Sequence, residues 1–202
     1  MVEFFENGGE FMWPILGVLV IGLAFVGERL YHLIRAMKTK FDFAVSVASE
    51  IDSKGFEAAK KTCKDNVGPV ANLCYNALEV ADQGAEVSEK TIEQTAGIEL
   101  SALEKNMTWI SLCIATAPML GFLGTIAGMI VAFGQIAAAD NISPSIVAEG
   151  IGQALNTTAF GLVVAVILQF GQNIVMFIID NMVVTIQKST TIVLQSIAKK
   201  QK

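Results

Sequence analysis

The sequence predicts an all-α membrane protein with three spans, whose second and third helices are long and continue into the cytoplasm. Three observations predict it. The 202 residues are 53% hydrophobic and only 16% charged, against about 45–50% and about 25% in soluble domains; the mean hydropathy is +0.55. The apolar residues gather into three runs almost free of charge, and the charges crowd between and after them. Finally, every lysine and arginine falls in residues 28–108 or after Asp180. Basic residues collect on the cytoplasmic side of a membrane protein, so the N-terminus is expected outside and the C-terminus inside.

The first run, Phe11–Val26 (FMWPILGVLVIGLAFV), is extended by Gly27 to the roughly 17–25 residues that cross a bilayer. Residues 1–10 form the outer leader and 11–28 the first span. A cleaved signal peptide would carry a base ahead of its apolar core. Here the leader carries Glu3, Glu6 and Glu10, and the bases Arg29, Arg35, Lys38 and Lys40 come after the run. Trp13 and Tyr31 suit the two interfaces, and Pro14 sits in the first turn, where a missing N–H costs little.

Residues 29–108 read as a cytoplasmic helical segment. Short helices break at Lys54-Gly55, at Val67-Gly68-Pro69 and at Gly84. From about Glu86 one continuous helix is expected to run into span two, with Ile92, Ala96, Leu100, Leu103 and Met107 on one face. The second span covers 109–136, an outer loop with Asp140 covers 137–148, and the third span covers 149–180. A connection this short forces an antiparallel hairpin. The cytoplasmic tail, 181–202, keeps an apolar stripe of Ile179, Met182, Ile186, Val193 and Ile197. An amphipathic helix must bury its stripe, so contact between subunits is expected, in preference to a monomeric bundle.

A net charge of −5 and the lack of a basic run with interleaved aromatics exclude nucleic-acid binding. Cys63, Cys74 and Cys113 lack metal-ligand spacing and His32 has no thiol cluster near it, so neither a metal nor a cofactor is expected. No nucleophile–base pair suggests an enzyme.

The hairpin concentrates the informative residues. At 100° per residue, Pro118, Gly121, Thr125, Gly128 and Ala132 share one face of span two. Ala154, Thr158, Gly161 and Ala165 share one face of span three, continued by Gln169 and Gln172. Small residues such as Gly121, Gly124, Gly128, Gly161 and Ala165 permit close helix packing. Hydroxyls and amides inside a span face protein or water rather than lipid, so Thr125, Thr158, Gln169 and Gln172 are candidates to line a narrow hydrated path. Glu149, Gln153, Asn156 and Thr157 form a second polar strip, suited to its entrance. Between Trp109 and Ile179 the only carboxylates are Asp140 and Glu149. Threonine and glutamine do not titrate, so a proton carrier would have to come from a partner's span.

APMLGFLGTIAGMIVAF (Ala117–Phe133) and GIGQALNTTAFGLVVAV (Gly150–Val166) resemble the second- and third-span signatures of the MotA/TolQ/ExbB proton-channel family. GPVANL (Gly68–Leu73) and FMWPIL (Phe11–Leu16) resemble its flanking pieces in the same order, and three spans point to the ExbB/TolQ branch. The resemblance implies a homopentameric ring whose third spans, backed by the second, surround a pore holding a dimer of single-span ExbD/TolR-like partners, each with a protonatable Asp. It implies a bacterial inner-membrane protein, N-terminus periplasmic, that turns the proton-motive force into work on an envelope process such as outer-membrane transport, through a TonB-like or other periplasm-spanning effector. The family's pore threonines fall on Thr125 and Thr158, and its later span-three asparagine on Asn173. Gln153 stands where relatives commonly have glutamate, with Glu149 one turn earlier, and Ile167 stands where several have proline. The alternative is a non-conducting oligomeric scaffold that uses the hairpin only for packing.

Overall fold

A computed structural model describes residues 8–36, 41–138 and 144–200. Glu3 and Glu6 of the leader, Lys38 and Lys40, Asp140 of the hairpin loop and the last two residues of the tail lie outside them. The described residues are almost wholly helical, with no strand. In chain order the helices are α1 (Met12–Ala36), α2 (Phe41–Lys54), α3 (Phe56–Lys64), α4 (Pro69–Glu79), a 3-10 turn (Ala81–Gln83), α5 (Ala85–Leu103), α6 (Met107–Ala138) and α7 (Pro144–Lys200). Three stretches, Met12–Ala36, Ala85–Ala137 and Val147–Lys200, hold helix long and apolar enough to cross a membrane. The chain is an all-α, multi-pass membrane protein.

It divides into two compact units. The first combines residues 1–28 with Asn106–Ile174 and so contains the apolar part of α1, α6 and the first half of α7. Its core is Ile15, Cys113, Ala117, Val164 and Leu168, with Val18, Leu19, Leu120 and Phe160 packed around it. Glycine sets how closely α1 approaches α7. A Cβ on Gly22 would lie 2.6 Å from a Leu168 methyl, and one on Gly171 would lie 3.0 Å from a Val26 methyl. Phe25 stacks on Trp109 with ring centroids 6.3 Å apart.

The second unit comprises Arg29–Lys105 and Val175–Lys202. Its short helices break where the sequence places glycine. Gly55 (φ 91) and Gly84 (φ 117) adopt a backbone that L side chains rarely take, and Pro69 opens α4 at a position needing no N–H donor. Ala44, Val47, Ile51, Leu73, Leu78 and Ile92 are buried between these helices, and the Ser88 hydroxyl donates to the Ala77 carbonyl at 3.2 Å. A hydrogen bond with the Cys63 thiol, reinforced by burial, holds the Cys74 thiol far above its ordinary pKa. The end of α7 fastens onto α2. Lys200 donates to the Ile51 carbonyl and sits 5.9 Å from the Phe56 ring centroid, while Lys199 pairs with Asp52 at 3.6 Å.

Two expectations are corrected. The apolar stripe of the tail needs no second subunit, because Ile179, Met182, Ile186, Val193 and Ile197 are buried by their own chain. Nor is the helix from Glu86 continuous. It stops at Leu103, where Glu104 donates to the Leu100 carbonyl at 3.0 Å, and Asn106 takes a left-handed conformation (φ 65). Asparagine tolerates that region better than most residues. Its carbonyl then accepts the N–H of Trp109 at 3.1 Å and so starts α6, while its side-chain amide donates to Glu28 Oε2 at 2.9 Å.

Candidate ion path in the α6 and α7 hairpin

The seam between α6 and α7 is built from residues without bulk. A Cβ on Gly161 would sit 2.6 Å from the Ala117 carbonyl oxygen, and one on Gly121 would sit 3.1 Å from both the Thr157 carbonyl oxygen and the Thr158 Cα. Farther along, a Cβ on Gly128 would meet the Ala154 methyl at 3.0 Å, and one on Gly124 would meet the Thr157 methyl at 2.5 Å. The two backbones are therefore in direct contact, which is what small residues at membrane helix interfaces permit. Ala165 is half-buried beside the core of this unit.

Close approach brings Thr125 and Thr158 together, their hydroxyls hydrogen-bonded to each other. The Thr158 hydroxyl lies 3.1 Å from the Gly121 carbonyl, and that of Thr125 lies 3.1 Å from the Ala154 carbonyl. Each hydroxyl has one hydrogen to give, and both hydrogens have acceptors inside the seam. What the pair can offer a passing ion is oxygen lone pairs.

The entrance candidates separate. Thr157 is only 1% exposed and bonds the Gly8 carbonyl at 2.9 Å and the Gln153 carbonyl at 3.0 Å, tying the residues before α1 to α7. Gln153 is exposed, with its amide against Gly9. Glu149 is exposed and Asn156 half-buried, and no hydrogen bond joins either to the others among the described residues.

Gln169, Gln172 and Asn173 do come together. The Gln169 Nε2 amide donates to Asn173 Oδ1 at 3.2 Å and Gln172 Oε1 at 3.4 Å. Gln172 Nε2 in turn donates across to Ser111 Oγ on α6 at 2.7 Å. Sequence reasoning missed Ser111. It stands seven residues before Pro118 and so continues the face of Pro118, Gly121 and Thr125, but only the register between the two helices sets it opposite Gln172. No group of His, Cys, Asp and Glu suited to a metal ion occurs among the described residues.

A family model described as the MotA/TolQ/ExbB proton channel family matches residues 64–188, which include the whole of α6 and the apolar part of α7. The chain belongs to this family. Within it the chain is similar to ExbB proteins. It is 28% identical over 170 residues to a biopolymer transport protein ExbB homologue of Methanothermobacter thermautotrophicus, covering 83% of this chain and 60% of that one. It is 26% identical over 166 residues to the biopolymer transport protein exbB1 of Vibrio cholerae, covering 78% and 71% respectively. With the biopolymer transport protein ExbB of Salmonella typhimurium the identity is 30% over 127 residues, covering 59% and 51%. The chain thus spans 51% to 71% of the length of these ExbB relatives.

Proposed function

We propose that the chain is the ion-conducting, energy-transducing subunit of an inner-membrane complex, with its N-terminus periplasmic and its C-terminus cytoplasmic. Copies of it, five on the family pattern, surround a dimer of single-span ExbD/TolR-like partners. The observation that carries this reading is the family match across both hairpin helices, on a seam whose polar side chains cannot titrate. The chain supplies walls and solvating groups: Thr125 and Thr158 at the seam, then Gln169, Gln172 and Asn173. Glu149, Gln153 and Asn156 belong to the outer mouth, and Thr157 fastens it to the start of α1. The partner supplies the carboxylate that takes up and releases the ion. A carboxylate alone in lipid costs about 2.5–3.5 kcal/mol on insertion scales, so it is sheltered inside the ring. The carrier chemistry suits H⁺ over Na⁺. The relatives' biopolymer-transport names fit an envelope process such as outer-membrane transport as the work done, with a TonB-like effector as the output.

The engagement of the Thr125 and Thr158 hydroxyls within the seam favours a second reading, a non-conducting scaffold. Proteoliposomes holding the chain with its single-span partner separate the two. Acidification of the lumen in sodium-free buffer that depends on the partner, and that falls in Thr158→Val, supports conduction. Flux equal with and without the partner rejects it.

A further inference from the structure

The hairpin carries two polar tiers of different character. Thr125 and Thr158 are half-buried with their hydrogens engaged. Gln169 and Asn173 are exposed on a helix that is apolar around them, flanked by exposed Val166, Phe170 and Ile174. Eleven helical steps, about 16 Å at 1.5 Å each, separate Thr158 from Gln169. Every side chain between them is Ala, Phe, Gly, Leu, Val or Ile.

The amide tier is incompletely satisfied. Its hydrogen bonds occupy the Gln169 amide nitrogen, part of Gln172 and the Ser111 oxygen. The Asn173 NH₂ group, the Gln169 carbonyl oxygen and the Ser111 hydrogen have no acceptor or donor among the described residues. An amide moved from water into hydrocarbon without hydrogen bonds costs about 4–8 kcal/mol, so lipid is an untenable neighbour for this face. The chain's own helices do not cover it. α1 packs on α7 through Leu168 and Gly171, and at 100° per residue Gln169 and Asn173 stand on the opposite flank.

We propose that Ser111, Gln169, Gln172 and Asn173 form a water-filled vestibule of the ion path, at the end of the spans where α6 begins. Gln169 and Asn173 hold the water, and Ser111 is a positioning residue that anchors Gln172 and through it Gln169. A dry stretch from Ala159 to Leu168 closes the vestibule off from the threonine tier, so water reaches the amides but stops there. This rests on the conducting role proposed above, with a readout that does not need conduction.

Single cysteines placed by Gln169→Cys, Asn173→Cys, Leu162→Cys and Val166→Cys in the full chain, in membranes that also contain its partner, are treated with a membrane-impermeant, positively charged methanethiosulfonate. The reagent is applied from the side on which α6 begins, and the unsubstituted chain sets the baseline. A thiol needs water to ionise and react, and each unit by which a dry, apolar setting raises its pKa slows it about tenfold. The vestibule predicts labelling at 169 and 173 about tenfold faster than at 162 and 166. Equal rates at all four positions overturn it, as does reaction at 169 only with a lipid-soluble maleimide. A disulfide between copies at 169 without labelling makes this face a dry subunit contact and also overturns it. Ser111→Ala should slow labelling at Asn173→Cys, where Gln169 and Gln172 are both still present, with Ser111→Thr restoring it. Fast labelling without proton flux leaves the vestibule standing and removes the conducting role; flux without labelling does the reverse.

Discussion

Replacing Gly161 by alanine tests how closely α6 and α7 must approach. The added Cβ would lie 2.6 Å from the Ala117 carbonyl oxygen and 3.2 Å from the Gly121 Cα. Carbon and oxygen in comfortable contact sit about 3.3 Å apart, so the helices must part by about 0.7 Å. A gap of that size forfeits roughly a quarter to a half of each contact's dispersion well, and overpacking of this kind costs about 1–3 kcal/mol. The two bonds that the Thr125 and Thr158 hydrogens make at the seam, one between the hydroxyls and one to the Gly121 or the Ala154 carbonyl, stretch with it, at about 0.6 kcal/mol each for membrane helices. Better helix propensity returns about 0.5–1 kcal/mol. The balance is a loss of about 2 kcal/mol, near thirtyfold in the unfolding equilibrium. Titration of detergent-solubilised protein with a denaturing surfactant, followed by circular dichroism, measures it. The control is Gly152→Ala on the same helix, where a Cβ meets nothing within 4 Å; it should be neutral or slightly stabilising. If Gly161→Ala unfolds at the same surfactant fraction as Gly152→Ala, the close-contact account of the seam is wrong.

At the break between α5 and α6, Asn106→Val should lower stability by about 1–2 kcal/mol, from the left-handed backbone and the lost bond to Glu28. Asn106→Gly keeps the backbone and should cost less; the reverse order in thermal melts contradicts the assigned conformation. Lys200→Ala removes the contact with the last turn of α2 and the approach to the Phe56 ring, together about 1–2 kcal/mol. Faster amide exchange should be confined to the end of α2. Glu50 is held below the ordinary carboxyl range, first by the hydrogen bond from the Thr62 hydroxyl and then by Lys54. A depressed folded pKa gives stability that is complete above the unfolded value and is lost as pH falls through the folded one. Thr62→Val should therefore raise the Glu50 pKa and shrink the acid-side loss of stability, as carboxyl-carbon NMR across pH 2 to 6 would show.

The sequence made most of the architecture legible because the strongest signals were also the simplest. Three charge-poor runs have no alternative in a folded chain, and Gly55, Gly68-Pro69 and Gly84 each impose a local backbone event visible in one residue. The break at Asn106 was not legible. Glu104 and Lys105 are good helix formers, and the apolar repeat of Leu100, Leu103 and Met107 passes straight through it. The tail stripe was legible as a stripe, but its cover was not, since periodicity reports that a face is buried and not what buries it. Within the hairpin, Thr125 and Thr158 could be matched from shared faces. The pairing of Gln172 with Ser111 depends on the axial register of two helices, which no single-helix pattern encodes.

The choice of uncharged side chains at Thr125, Thr158, Gln169, Gln172 and Asn173 has a physical logic if, as proposed, the chain repeats around a ring. A carboxylate at position 169 would appear once in every copy, and like charges converging on one axis raise each other's pKa until most are protonated and idle. Amides and hydroxyls avoid that penalty. They keep the same form at every working pH, which suits the proposed arrangement in which a partner brings the titrating group. The engaged hydroxyls of Thr125 and Thr158 fit the same division: they hold the two backbones together at the seam, while the underbonded amides stand at the proposed vestibule. On this reading selectivity is set by the partner's carboxylate, and the wall decides only how far water can follow it.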